Sequence, residues 1–157
     1  MIVRGINCRM NNIQYSDDTM VQLASLIARL AHQGQFDEAG QPYYNHPEKV
    51  AGMLTTPLLK TIGFLHDVLE DTAMEEKDLR LLFPDEVVDA VVVMTHREDE
   101  PYEAYIRRVG ENRLARQVKL ADLTHNMDLS RLKKVTKYAL DRKKNRYMPA
   151  FEYLVKL

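Results

Sequence analysis

The stretch Asp85-Glu86-Val87-Val88-Asp89-Ala90-Val91-Val92-Val93-Met94 (DEVVDAVVVM) decides the fold class. Its valines are β-branched and favour strands by propensity. The spacing argues for a helix. Val87, Ala90, Val91 and Met94 recur at three- and four-residue intervals, the stripe of a helix with one buried face. The same period extends outward in both directions. Upstream, Met20, Leu23, Leu26, Ile27 and Leu30 mark a first helix that Asp17 or Asp18 can cap and that ends near Gly34. A loop from Asp37 to Asn45 is closed by Pro42, and Pro47 suits the first turn of the next helix. Pro57 opens another, which is expected to run unbroken through Thr72. Glu75 to Phe83 also reads as helix. Downstream, His96 to Pro101 is a polar loop, followed by helices over Tyr102 to Val109, Arg113 to Asp128 and a C-terminal stretch through Leu157. The expectation is an all-α helical bundle: one domain over 1–157, with a core at about 18–132 and a C-terminal helical extension at 133–157.

Composition narrows the function. The chain has 157 residues, 45% of them apolar, enough for one core. A net charge of -1 supplies no global field for nucleic acid or an anionic membrane. No run approaches the ~20 apolar residues of a membrane span. The single cysteine, Cys8, excludes an internal disulfide and fits a reducing compartment. It lies in an Asn-rich start that makes it a poor nucleophile. Met1 to Gly5 lacks the apolar run of a signal peptide, so a soluble, cytoplasmic protein is expected. Charge is uneven all the same. Arg131 to Arg146 holds eight basic residues against Asp141, a net of +7, leaving -8 for the rest. That segment reads as a solvated helical face, or as an electrostatic guide for an anionic substrate; no aromatic pattern supports nucleic acid.

The chemistry concentrates in Phe64-Leu65-His66-Asp67-Val68-Leu69-Glu70-Asp71-Thr72 (FLHDVLEDT). Like charges this close repel unless a cation sits among them. On a continuous helix, His66, Glu70, Asp67 and Asp71 fall within roughly 140° of one another, with Leu65, Phe64, Val68 and Leu69 behind. One face packs and the other lines a cavity. Imidazole and carboxylate together suit a divalent metal such as manganese, iron or zinc. Two adjacent residues cannot complete its coordination, so partners are needed from elsewhere. His46 stands at a loop-to-helix junction beside Pro47, and Asp122 lies in the mostly apolar run VKLAD, where a carboxylate needs a partner. His46, His66, Asp67 and Asp122 would give two neutral and two anionic ligands and leave two octahedral positions open. Lys119, about 60° around the helix from Asp122, can meet a phosphate. Arg97, Tyr102 and Tyr105 form a candidate substrate wall. His32 and His125 read as structural, and His96 as an exposed loop residue.

The spaced pattern His46…His66-Asp67…Asp122 is similar to the H…HD…D signature of the HD phosphohydrolase superfamily. Four ordered blocks narrow the match: AHQGQ (Ala31 to Gln35), GQPYYNHPEKVA (Gly40 to Ala51), LHDVLEDT (Leu65 to Thr72) and VKLADLTHNM (Val118 to Met127). Together they resemble the hydrolase domain of RelA/SpoT-type proteins and the stand-alone small alarmone hydrolases. The resemblance implies an all-α bundle and manganese-dependent removal of the 3′-pyrophosphate from (p)ppGpp. It also implies metal ligation by His46, His66, Asp67 and Asp122, assistance from Glu70 and Asp71, and a nucleotide contact at Asn126. The expected partner is a small phosphorylated nucleotide; the oligomeric state does not follow. One departure bears on the substrate. Where the family carries a basic pair, this chain has Asp37-Glu38, a reversal of local charge that would repel a polyanion. The alternatives are a hydrolase of another nucleotide or phosphate ester, and a degenerate HD domain that binds metal or nucleotide without turnover.

Overall fold

The computed structural model describes residues 15–157. Cys8 and the Met1 to Gly5 start, with the expectations attached to them, lie outside those residues. Among the described residues the regular structure is helical throughout, and a lone bridge between Phe36 and Pro42 is the one strand-like pairing.

Helix α1 (Asp17–Ala31) is capped by Ser16, whose hydroxyl accepts the Thr19 N–H at 3.2 Å. The cap therefore lies one residue before the expected aspartates, and Asp17 and Asp18 occupy the first turn, where their charge favours the helix dipole. Helices α2 (Asn45–Gly52) and α3 (Pro57–Leu65) follow, the latter capped by the Thr56 hydroxyl. The helix from Pro57 does not continue through Thr72. It stops at Leu65, His66 and Asp67 form a turn with Asp67 at φ -104° and ψ -3°, and α4 (Val68–Asp71) restarts beyond it. A local competition accounts for the break. The His66 ring N–H donates to the Gly63 carbonyl at 2.7 Å, the acceptor that the Asp67 N–H would use in a continuing helix. Thr72 closes α4 by donating to the Val68 carbonyl and accepting the Met74 N–H.

After α5 (Glu76–Leu82), the valine-rich stretch forms α6 (Asp85–Met94), with Val87, Ala90, Val91 and Met94 buried as their spacing predicts. Then come α7 (Tyr102–Glu111) and α8 (Arg113–Met127), the second capped by Asn112 onto the Leu114 and Ala115 N–H groups at 3.0 Å. A 3₁₀ turn (Leu129–Arg131), α9 (Lys137–Arg142), a π-helical turn (Lys143–Tyr147) and α10 (Met148–Val155) complete the chain.

Helices α3 and α8 are the centre of the bundle. α3 packs on α1, α2, α6 and α8, while α8 also meets α7 and α10. Ile62, Leu65, Val118 and Leu123 fill the space between them. α2 crosses α3 at Gly63, where a Cβ would sit 2.8 Å from the Leu54 side chain and 3.1 Å from the Ala51 Cα. Only glycine lets the two backbones approach this closely. No described helix is long and apolar enough to cross a membrane.

Candidate metal centre

The crossing of α2, the α3–α4 turn and α8 brings four distant residues together. His46 sits in the first turn of α2, His66 and Asp67 form the turn, and Asp122 occupies the buried face of α8. The Nε2 atoms of His46 and His66 are 3.2 Å apart. Asp67 Oδ2 lies 3.0 Å from His66 Nε2 and 3.5 Å from His46 Nε2. Asp122 Oδ1 lies 3.0 Å from His46 Nε2 and 3.7 Å from His66 Nε2. Neighbouring donors about 2.1 Å from one ion are roughly 3 Å apart, so these edges fit a shared cation. His46, His66 and Asp122 are buried, with ligand atoms all within 4.8 Å of one another.

Each imidazole is turned to present Nε2. His66 Nδ1–H is held by the Gly63 carbonyl. His46 Nδ1 lies 2.7 Å from His125 Nδ1, and burial, with His46 and Arg131 nearby, pulls the His125 pKa down to about 4. The neutral His125 ring accepts the His46 Nδ1–H, which leaves the His46 Nε2 lone pair free for a ligand. His125 is thus tied to the centre rather than to the core, a contact the sequence reading missed. Its i+3 register from Asp122 was the available signal.

The carboxylates are supported as closely. Asp122 Oδ2 pairs with Lys119 Nζ at 2.7 Å, and Oδ1 accepts from Asn126 Nδ2 at 2.6 Å. Lys119 and Asn126 thereby orient Asp122. Asp67 Oδ2 accepts from the Tyr43 hydroxyl at 2.7 Å, another partner that sequence alone did not single out. Burial and the charge of Asp67 push the Tyr43 pKa up, so it remains a donor. For Asp67 and Asp122, burial raises the pKa, but His66 and His46 on the first and Lys119 and the imidazoles on the second outweigh it and hold both low. His66 moves the other way: burial disfavours its charge, yet Asp67 and Asp122 raise its pKa well above the ordinary value. The cluster draws positive charge, and a divalent cation can replace those protons.

Glu70 and Asp71 stand exposed at the rim on α4. Glu70 accepts the His96 N–H at 2.9 Å, and Asp71 Oδ2 is 3.4 Å from the Tyr43 hydroxyl. Burial raises both pKa values, with Asp67 adding to it. His96 departs from expectation. It is half-buried, donates from Nε2 to the Glu100 carbonyl at 2.7 Å and packs 4.8 Å from the Tyr105 ring.

Of the proposed wall, Tyr102 and Tyr105 lie side by side, their ring centroids 5.7 Å apart. Tyr105 is buried, its hydroxyl donates to the Met94 carbonyl at 2.6 Å, and Lys119 Nζ lies 5.1 Å over its ring. It is a packing residue behind Lys119. Arg97 is exposed on the loop before α7, and Tyr102 is half-buried at the start of that helix. The Asp37-Glu38 loop also differs in effect from its composition. Asp37 pairs with Arg131 at 3.2 Å and Glu38 with Arg142 at 2.6 Å, so the basic segment neutralises the acids predicted to repel a polyanion.

Fold and donor set together define an all-helical chain with a two-histidine, two-aspartate centre. No protein-family model matches it. Over part of its length, however, the chain is similar to RelA/SpoT-type proteins. It is 33% identical over 135 residues to a GTP pyrophosphokinase of Myxococcus xanthus, covering 73% of this chain and 18% of that protein. It is 36% identical over 117 residues to the guanosine-3′,5′-bis(diphosphate) 3′-pyrophosphohydrolase of Haemophilus influenzae, covering 65% and 17%. It is 34% identical over 119 residues to the bifunctional (p)ppGpp synthase/hydrolase SpoT of Escherichia coli K12, covering 66% and 17%. The chain thus matches less than a fifth of these relatives' length. In fold it is similar to a solved structure of a metazoan ortholog of SpoT that hydrolyzes ppGpp. The TM-score is 0.69 and the identity 23%, over 87% of this chain and 84% of that one.

Proposed function

We propose that the chain is a metal-dependent phosphohydrolase acting on a nucleotide of the (p)ppGpp type and removing its 3′-diphosphate. One observation carries this reading: His46, His66, Asp67 and Asp122 turn their ligand atoms toward one another from three elements. The names of the relatives point to the same substrate. We further propose that residues 1–157 act as one unit, with 133–157 as an extension over the loop at Asp37 and Glu38.

The four residues would hold one divalent ion, manganese first among the candidates. When bound, such an ion polarises a phosphoryl oxygen and makes nearby water more acidic. The remaining work belongs to the chain. Glu70 or Asp71 orients the attacking water and takes its proton as the new oxygen–phosphorus bond forms; their raised pKa values suit a proton acceptor. The bond from phosphorus to the 3′-oxygen breaks, and that oxygen takes up the proton held by Glu70 or Asp71 and leaves as the 3′-hydroxyl. Lys119 donates one of its three N–H groups to Asp122 and has others for phosphate. Asn126 fixes Asp122 and stands one turn beyond it, within the nucleotide-facing part of α8. Arg97 and Tyr102 remain candidates for the outer part of the substrate.

The Asp37-Glu38 loop offers a polyanion no basic pair and engages Arg131 and Arg142, which favours a second reading, a different nucleotide or phosphate ester at the same centre. A single assay separates the two. Manganese-reconstituted protein is incubated with ppGpp, pppGpp, nucleoside mono- and triphosphates and cyclic dinucleotides, and the products are resolved by chromatography. Release of diphosphate from ppGpp, abolished by Asp67→Ala, is expected. Turnover of another phosphate ester alone would move the substrate assignment. Silence across the panel with metal bound would overturn the hydrolase reading and leave a binding domain.

A further inference from the structure

A second cavity, of about 260 Å³, lies between α7, the π-helical turn and α10. Its lining includes Tyr102, Ile106, Arg107, Arg146 and Tyr153, with Glu103 beside them; none of the metal-centre residues contributes. The Arg146 guanidinium stacks 4.0 Å over the Tyr102 ring. A guanidinium carries five N–H donors in a planar fork, the geometry that receives a phosphate through two hydrogen bonds. Among the described residues Arg146 makes no ion pair, and Arg107 has only a loose one to Glu103, at 3.9 Å with both side chains largely exposed. Two guanidiniums therefore share a concave site, and neither is held in a close ion pair. Beside them, the exposed Tyr153 ring and the buried Ile106 side chain give the cavity aromatic and apolar lining. A flat ring carrying an anion matches both halves.

We propose that this cavity is a second ligand site, for a mononucleotide whose base packs on Tyr153 and whose phosphate is held by Arg107 and Arg146. Glu103, at the rim, is an acceptor for N–H groups of a guanine edge. The volume lies just below the range of drug-sized pockets, which suits one base with one sugar phosphate. Tyr102 separates this site from the metal centre: its ring lines the cavity, Tyr105 packs 5.7 Å behind it, and Lys119 lies over Tyr105.

Isothermal titration of the chelator-treated protein with GMP, guanosine and inorganic phosphate tests the site. GMP is expected to bind once per chain, with guanosine and phosphate each about tenfold weaker or more. Arg146→Ala and Tyr153→Ala should each weaken GMP by about tenfold or more, while Asp67→Ala leaves it unchanged. Arg107→Ala alters an exposed side chain and serves as the variant whose fold is safe; the thermal midpoint of each variant is compared with the parent. The proposal is overturned if GMP does not bind, if phosphate binds as tightly as GMP, or if Asp67→Ala abolishes binding while Arg146→Ala and Arg107→Ala retain it.

Discussion

His46, His66, Asp67 and Asp122 were legible as a set because imidazoles and carboxylates at those positions have no apolar explanation. Their supports were not. His125 lies 79 residues from His46, with only its i+3 register from Asp122 as a hint, and Tyr43 lies 24 from Asp67, where no periodicity signals a contact. Lys119 and Asn126 were legible as neighbours of Asp122, but their direct bonds to its carboxylate were not. A residue that fixes the tautomer of a ligand acts through it. His125→Ala should weaken metal binding by about ten- to a hundredfold without removing it, read by competition with a chelator of known affinity. An unchanged affinity would mean that the His46–His125 contact is only packing.

At the scale of elements, the helical period located nearly every helix, including α6, because burial of one face dominated the strand propensity of its valines. The break at His66 and Asp67 escaped because no glycine or proline marks it; a side-chain N–H competing for the Gly63 carbonyl has no sequence signature of its own. Gly63 has a second role, as the point where α2 and α3 touch. Gly63→Ala should therefore cost about 1–3 kcal/mol by overpacking and push His46 away from His66, weakening metal binding as well. Denaturant unfolding and metal titration check both halves, and a stable variant with full affinity would contradict the crossing.

The loop before α7 is fixed by Arg108, which donates to the Glu100 carboxylate at 2.6 and 2.8 Å and to the Val93 and Thr95 carbonyls. Arg108 holds the Glu100 pKa down to about 2 against an ordinary 4.5. A lowered folded-state pKa means stability that is present above about 4.5 and lost as pH falls toward about 2. Glu100→Gln should thus melt below the parent at pH 7, with the gap closing across that window. A constant gap would show that the ion pair is not its source.

For the whole molecule, the pairing of opposite charges was half visible. The +7 segment and the Asp37-Glu38 loop were each plain in the sequence, but that Arg131 and Arg142 reach those acids depends on the tertiary fold. The cluster of carboxylates and imidazoles carries the larger consequence. A ligand that binds only the folded state stabilises it by about 2.7 kcal/mol at a hundredfold excess over Kd. Chelation should then lower the melting temperature by several degrees, in a differential scan with and without manganese. An unchanged midpoint would mean that the cluster holds no ion.

Anomalous diffraction from crystals grown with manganese locates the ion directly. The account predicts one strong anomalous peak within coordinating distance of His46 Nε2, His66 Nε2, Asp67 and Asp122, absent in Asp67→Ala. Bound manganese found only elsewhere, with those four side chains left without an ion, would contradict it.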